Sequence, residues 1–250
     1  METISKILDE FPEVVVLSDE VYDFLCFDER KHIPFATVGN NWDRTVSMYS
    51  GGKLFNATGW KVGWTIAPEP LIHLGGVIAN TTFYCFNVPG QEAMSGALDF
   101  INKPYLDTGK SYTHAIRDIF IGNREQVLKE CRERDMPWEP LPCEGGYFVM
   151  TDISKCKDLI PEKYLSSHDY EASPENPVTK YELNMPDGRV PLDLAFCRWM
   201  GCEKGVTMMP NSFFYHRDSP TICDNYVRMA ICKNPDATAK ALERLRNIKI

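Results

Sequence analysis

Residues 50–64 have the sequence Ser-Gly-Gly-Lys-Leu-Phe-Asn-Ala-Thr-Gly-Trp-Lys-Val-Gly-Trp. Glycine lets a backbone approach a ligand closely, and a lysine amine in such a place can form an imine with a carbonyl carbon. The order differs from a Walker P-loop, where the lysine follows Gly-x-x-x-x-Gly and precedes serine or threonine. From spacing alone, Lys53 is either a covalent catalyst or a solvated lysine in a turn.

Short apolar segments on either side of this stretch predict a sheet. Val14–Leu17 is a run of four apolar β-formers, which predicts a strand buried on both faces, as in a parallel sheet under helices. Thr45–Tyr49 and Val62–Ala67 predict two more strands, each ending in polar, glycine or proline residues. We therefore expect an α/β sheet, which binds ligands beyond the carboxyl ends of its strands.

The remaining pattern predicts helices and a smaller α+β unit. Helical spacing of apolar residues predicts helices at 2–10, 70–80, 91–102, 105–134, 192–204 and 235–247. Strands are expected at 145–150 and 226–232, and a long surface loop at 157–190. The division is expected along the long helix, giving a partial large domain at 1–120 and a small C-terminal domain at 121–250.

Two isolated charges are ambiguous when each is taken alone. Asp19 follows the first strand and precedes Tyr22, so it either meets a cation or caps a helix. Arg228 lies inside the apolar strand segment, where its guanidinium either binds a carboxylate bidentately or points to solvent. Core packing is the expected role of most of the aromatic residues Trp60, Trp64, Phe86 and Tyr147.

Composition excludes several classes of protein. A net charge of −8 excludes a generic nucleic-acid binder, which needs a basic face. Nine cysteines without a Cys-x-x-Cys pair, and five histidines without ligand spacing, predict no metal site and a reducing compartment. No segment resembles a signal peptide or a membrane span. We expect a soluble protein in the cytoplasm, with mitochondria as the alternative, that binds neither nucleic acid nor membrane.

Four strings together resemble the fold-type I pyridoxal-phosphate aminotransferases. They are residues 18–22 (Ser-Asp-Glu-Val-Tyr), 50–64, 146–153 and 226–228, in the family's order and over nearly the whole chain. Within this family the sequence is most similar to the kynurenine aminotransferase, glutamine transaminase K and cysteine-S-conjugate β-lyase group. The resemblance implies a partial transferase fold: the C-terminal part of the large domain, with a mostly parallel sheet, and a small α+β domain.

The resemblance also implies cofactor contacts. Lys53 matches the lysine that bonds pyridoxal 5′-phosphate covalently and then moves a proton. Asp19 matches the aspartate that keeps the pyridine nitrogen protonated, so that the ring acts as an electron sink. Tyr22 matches the tyrosine that hydrogen-bonds the phenolic oxygen of the cofactor, while Ser50 and Lys61 match phosphate contacts.

Two further residues match substrate contacts by the same resemblance. Arg228 matches the arginine that binds the α-carboxylate, and Phe83 matches an aromatic residue near the substrate. The implied activity transfers an amino group from an aromatic, sulfur-containing or glutamine-type amino acid, such as kynurenine, to a 2-oxo acid. The implied assembly is a homodimer.

Family members begin earlier than this sequence does. Their N-terminal part supplies a glycine-rich phosphate loop, an aromatic residue stacked on the pyridine ring and an asparagine near the phenolic oxygen. We therefore expect an exposed sheet edge and an exposed apolar face. We expect a transaminase that acts within a longer chain or with a partner. The alternatives are a non-catalytic aminotransferase-like module and a β-lyase.

Overall fold

A computed structural model describes residues 1–83, 85–133, 136–165, 185, 189–216, 218–246 and 248. They belong to two compact units. The first contains Met1–Asp118 and Glu144–Gly146, and the second contains Ile119–Cys143 and Tyr147–Ile250. The chain thus passes from the first unit to the second inside one long helix.

The first unit contains a three-stranded sheet in the order β1-β2-β3. Strand β1 (Val16–Asp19) pairs in parallel with β2 (Thr45–Ser50), and β3 (Gly63–Ile66) pairs with β2 in the antiparallel direction. All three strands lie close to the predicted positions. Because one pairing of the two is parallel, the described sheet is mixed rather than mostly parallel.

Apolar side chains are exposed around β1. Val15 and Leu17 lie two residues apart, and Leu17 is 68% exposed. The prediction that this strand is buried on both faces is therefore wrong, whereas the expected exposed apolar face is present. Burial on both faces requires a covering layer on each side of a sheet, and the described residues place none over these two side chains.

The described helices of the first unit include the four that the sequence predicts and one more, Gly51–Leu54, that it does not. They are α1 (Glu2–Leu8), α2 (Gly51–Leu54), α3 (Glu69–Thr82), α4 (Val88–Phe100) and the start of α5 (Tyr112–Glu133). Helix α5 begins later than predicted because a 3₁₀ turn, Leu106–Thr108, comes first. Gly109 ends that turn with a φ of 66°, a left-handed conformation that glycine adopts without strain.

The second unit contains an antiparallel sheet in the order β4-β5-β7-β6. Its strands are β4 (Glu139–Pro140), β5 (Phe148–Asp152), β6 (Met209–Pro210) and β7 (Tyr226–Ala230). Alternation along β5 and β7 buries Val149, Thr151, Val227 and Met229 and leaves the opposite face half-buried. Arg228 belongs to that half-buried face.

Three further helices lie in the described part of the second unit. They are α6 (Glu162–Leu165), α7 (Leu192–Trp199), which continues into a π-helical turn at Met200–Lys204, and α8 (Pro235–Arg246). Phe196 of α7 makes edge-to-face contacts with Trp138 and Trp199, at centroid distances of 5.8 and 6.0 Å. Most of the surface loop expected at 157–190 lies outside the described residues, but its first part contains the end of a 3₁₀ turn (Ser154–Leu159) and α6, so the expectation of a loop is wrong there. Position 247, where the last helix is expected to end, also lies outside the described residues.

Core packing explains only some of the aromatic residues for which it was predicted. Tyr147 is buried and contacts Phe120 edge-to-face at 5.4 Å. Trp64 is half-buried, whereas Trp60 and Phe86 are exposed, so the prediction is wrong for those two. Apolarity alone did not decide which aromatic rings find a covering layer.

Candidate active site

Three predicted site residues of the first unit converge on one end of its sheet. Asp19 is the last residue of β1 and pairs with Met48, so the parallel strands β1 and β2 end at the same edge. Ser50 ends β2 and pairs with Gly63, the first residue of β3. Lys61 comes two residues before Gly63. The strand ends therefore place Asp19, Ser50 and Lys61 at the same end of this sheet.

Lys53 is held in a short helix that begins at this strand end. Ser50 caps α2, because its hydroxyl accepts a hydrogen bond from the Lys53 backbone N–H at 3.2 Å. The Lys53 Nζ lies 5.6 Å from the centroid of the Tyr22 ring. The structure therefore brings the amine and the phenol together, although they are far apart in sequence.

Glycine at position 52 allows the chain to fold back on this helix. A Cβ there would lie 2.9 Å from the Thr58 Cα and 3.1 Å from the Ala57 carbonyl oxygen. The Ala57 N–H donates a hydrogen bond to the Gly52 carbonyl at 2.8 Å. Lys61, at the end of the next turn, has a left-handed backbone with a φ of 56°. The order of glycines in the sequence thus serves a close backbone contact beside Lys53.

Phe83 has a different environment from these residues. It follows α3, is exposed, and its ring lies 6.0 Å from the ring of Phe86. Within the described part of the chain, its ring contact is therefore with another exposed aromatic residue rather than with the residues at the strand ends.

Glu20 anchors a buried hydrogen-bond network that the sequence did not reveal. It is 4% exposed, and its carboxylate accepts hydrogen bonds from His32 Nε2 at 2.5 Å and Ser47 Oγ at 3.1 Å. The Phe35 N–H donates another at 3.2 Å. Burial raises the pKa of Glu20, but the hydrogen bonds lower it by more, so the pKa lies below its ordinary value.

This network begins at the residue that directly follows a predicted cofactor residue in the sequence. Glu20 follows Asp19, and its N–H donates to the Met48 carbonyl of β2 at 2.9 Å. The only sequence signal was the position of Glu20 within the string 18–22. No local motif predicts the contact between Glu20 and His32, because the two residues are twelve positions apart in the sequence.

Arg228 belongs to the second unit and lies among aromatic rings. Its guanidinium carbon is 3.6 Å from the centroid of the Phe214 ring and 5.9 Å from that of Phe148. Its Nε is buried and has no hydrogen-bond acceptor within the described residues. The simple alternative, an arginine extended into solvent, does not describe this environment.

Two negative findings concern metals and membranes. Among the described residues, no group of three or more His, Cys, Asp or Glu side chains could hold a metal ion. Their helices are all too short or too polar to cross a membrane.

Comparison with known proteins gives consistent matches along the whole chain. The family model described as aminotransferase class I and II matches residues 1–245. The kynurenine–oxoglutarate transaminase of Dictyostelium discoideum is 33% identical over 241 residues, which cover 95% of this chain and 49% of that protein. Kynurenine–oxoglutarate transaminase 1 of Homo sapiens is 31% identical, covering 95% of this chain and 51% of that protein.

Solved structures give the same result. Bna3p from Saccharomyces cerevisiae matches with a TM-score of 0.75 and 28% identity over 99% of this chain and 52% of that chain. N-succinyldiaminopimelate aminotransferase from Mycobacterium tuberculosis matches with a TM-score of 0.73 and 26% identity, covering 99% of this chain and 53% of the other.

The chain spans about half the length of the curated relatives it matches. Aminotransferases of class I and II and these kynurenine transaminases depend on pyridoxal phosphate. The match of residues 1–245, with the two transaminases more than 30% identical over nearly all of this chain, shows that the chain belongs to the class I and II aminotransferase family.

Proposed function

We propose that this chain carries the lysine-bearing part of a pyridoxal-phosphate-dependent aminotransferase. The proposed reaction transfers an amino group from an aromatic, sulfur-containing or glutamine-type amino acid, such as kynurenine, to a 2-oxo acid. The observation that carries the proposal is the placement of the Lys53 Nζ 5.6 Å from the Tyr22 ring. Because the relatives are named transaminases, a non-catalytic role is not favoured.

The side chains at the strand ends suit the functional groups of pyridoxal phosphate. An amine is required for its aldehyde, and Lys53 provides one. A carboxylate is required beside its pyridine nitrogen, and Asp19 provides it. The Tyr22 hydroxyl can donate to its phenolic oxygen, and the cation of Lys61 suits its phosphate. Ser50 uses an oxygen lone pair for the Lys53 N–H, so its hydroxyl proton remains available for a phosphate oxygen.

Each residue then has a stated task. The bound cofactor supplies an electron sink that makes the substrate α-proton acidic. The Lys53 amine takes that proton as a general base, and the negative charge of Asp19 favours the protonated pyridine nitrogen. In the second unit, the Arg228 guanidinium offers two parallel N–H donors to the α-carboxylate. Phe83 is proposed as a more distant aromatic contact of the substrate.

The test is covalent attachment of the cofactor. The purified chain is mixed with pyridoxal phosphate, its visible spectrum is recorded, and borohydride reduction followed by peptide mass spectrometry locates the modified residue. We expect an imine absorption band and modification of Lys53, both lost in Lys53→Ala. Lys103→Ala, an exposed lysine of the same unit, is the matched control and should leave both unchanged. Undiminished reducible attachment in Lys53→Ala would refute the assignment.

The proposal extends to assembly and location. We propose a homodimer in the cytoplasm, with mitochondria as the alternative compartment. Support for the dimer comes from the family. Support for a reducing compartment comes from the nine cysteines of the sequence, which include no Cys-x-x-Cys pair. Sedimentation of the purified protein, and microscopy of a tagged chain, test these two statements separately.

A further inference from the structure

The Arg228 guanidinium lies against an aromatic ring in the described structure. The Phe214 ring centroid lies 3.6 Å from the guanidinium carbon, well within the distance of a cation–π contact. Within the described residues, Arg228 has no carboxylate partner, and its buried Nε has no acceptor. The contact with the Phe214 ring, rather than a hydrogen bond at Nε, is therefore the interaction that restricts the guanidinium within the described residues.

The turn that carries Phe214 is itself held at Ser212 by a buried carboxylate. Phe214 ends the 3₁₀ turn Ser212–Phe214, which lies between β6 and β7 in sequence. Asp193, at the start of α7, is 0% exposed. It accepts hydrogen bonds from the Ser212 N–H at 2.6 Å and from the Ser212 hydroxyl at 2.8 Å. The Leu194 N–H donates a further bond to it at 2.8 Å.

A carboxylate is a costly choice for a structural anchor at this depth. Burial raises the pKa of Asp193 to about 6, although its hydrogen bonds oppose that rise. An apolar side chain would avoid this penalty but could not hold both donors of Ser212. The anchor therefore holds the turn through hydrogen bonds that only a polar side chain can accept.

We infer that Asp193 and Phe214 are positioning residues for the carboxylate-binding guanidinium of Arg228. Asp193 fixes the turn at Ser212, and the turn presents the Phe214 ring to the guanidinium. The guanidinium is planar by itself, and the ring beside it restricts how that plane can turn, so that the terminal N–H groups stay aimed at a planar carboxylate. The inference rests on the proposed function, because it takes the ligand of Arg228 to be the α-carboxylate of an amino acid or 2-oxo acid.

The test uses the whole chain and phenylpyruvate, a 2-oxo acid with one carboxylate, as the probe. The Arg228 Nε–H signal is observed by nuclear magnetic resonance and assigned by its loss in Arg228→Lys. We expect a ring-current shift, slow exchange with solvent, and a saturable change on adding phenylpyruvate. Phe214→Leu should abolish the ring-current shift and weaken phenylpyruvate binding by roughly 2- to 30-fold, the range for loss of a cation–π contact.

Phe213 provides the matched control. It lies in the same turn and is 52% exposed, compared with 55% for Phe214. Phe213→Leu should leave the Arg228 signal and the affinity unchanged. Phe214→Tyr keeps an aromatic ring, so it should retain the ring-current shift and the affinity that Phe214→Leu loses. Asp193→Asn should weaken binding in the same direction as Phe214→Leu. Circular dichroism of every variant establishes that it is folded. A folded Asp193→Asn that binds as well as the unchanged chain would overturn the role of Asp193. If Asp193→Asn does not fold, Ser212→Ala, which removes the hydroxyl donor to Asp193, tests that role, and the phenylalanine variants test the role of Phe214.

The outcomes separate the inference from the proposed function. If Arg228→Lys abolishes phenylpyruvate binding but Phe214→Leu and Phe213→Leu bind equally well, the positioning inference is overturned and the role of Arg228 stands. If Arg228→Lys binds as well as the unchanged chain, or if that chain shows no saturable change, both the role of Arg228 and the inference are overturned.

Discussion

Substitution of Gly52 by alanine tests the geometry around Lys53 directly. The new Cβ would lie 2.9 Å from the Thr58 Cα and 3.1 Å from the Ala57 carbonyl oxygen. Both atoms belong to the backbone, so neither can rotate away, and the contact must be relieved by moving the chain. Overpacking of this kind costs about 1–3 kcal/mol. We expect a cost in the upper half of that range, because both contacting atoms belong to the backbone.

A helical alanine has an opposing intrinsic advantage. Gly52 lies in α2, and alanine is more favourable than glycine in a helix by about 1 kcal/mol. The net expectation is therefore a loss of about 1–2 kcal/mol in the free energy of unfolding. For a chain of this size, that corresponds to a thermal midpoint lowered by roughly 2–8 °C. Because Lys53 is the next residue, covalent attachment of pyridoxal phosphate should also decrease.

Gly59→Ala is the control for this substitution. Gly59 lies in the same segment, and a Cβ there would meet no atom within 4 Å. Thermal unfolding and borohydride-trapped cofactor are measured for both variants. We expect Gly59→Ala to match the unchanged chain or to exceed it slightly in stability. The reasoning is refuted if Gly52→Ala is as stable as Gly59→Ala and retains the same cofactor attachment.

Two further predictions concern the first unit. Glu20→Gln should lower stability at pH 7 by about 1–3 kcal/mol, because it removes charge from a buried acceptor of several hydrogen bonds. Folding lowers the pKa of Glu20 from 4.5, so its stabilising charge is present above that pH and is lost as the pH falls. Urea unfolding should therefore show a smaller difference in the free energy of unfolding between the unchanged chain and Glu20→Gln at pH 4 than at pH 7. The same difference at both pH values would contradict this. Leu17→Lys should change stability by less than about 0.5 kcal/mol, because Leu17 is 68% exposed. A loss well above that in urea unfolding would show that Leu17 is covered in solution.

The sequence predicted most elements because their signals are local. Helical spacing located α3, α4, α7 and α8, and runs of β-forming residues located the three strands of the first unit, each within a few positions. The start of α5 was missed because Gly109 and the turn before it interrupt an otherwise helical pattern. The string at 50–64 also identified the family, which the comparisons confirm.

Candidate site residues divide in the same way. Ser50 and Lys53 are three positions apart, so the capping hydrogen bond between them follows from the local chain. The contact of Lys53 with Tyr22, the pairing of Glu20 with His32 and the stacking of Arg228 on Phe214 join separate segments. The spacing of residues in the sequence does not show which separate segments meet. For Lys53 and Tyr22, only the family resemblance suggested that the two residues lie close together.

By itself, the sequence determined where most of the helices and strands form, because backbone propensity and capping act between neighbouring residues. The tertiary structure alone decided what each element faces. It left Val15 and Leu17 exposed despite their strand-forming character, buried Asp193 and Glu20 despite their charge, and placed an aromatic ring against Arg228. Burial and partner choice depend on which layers meet in space, and a run of residues does not specify the layer that covers it.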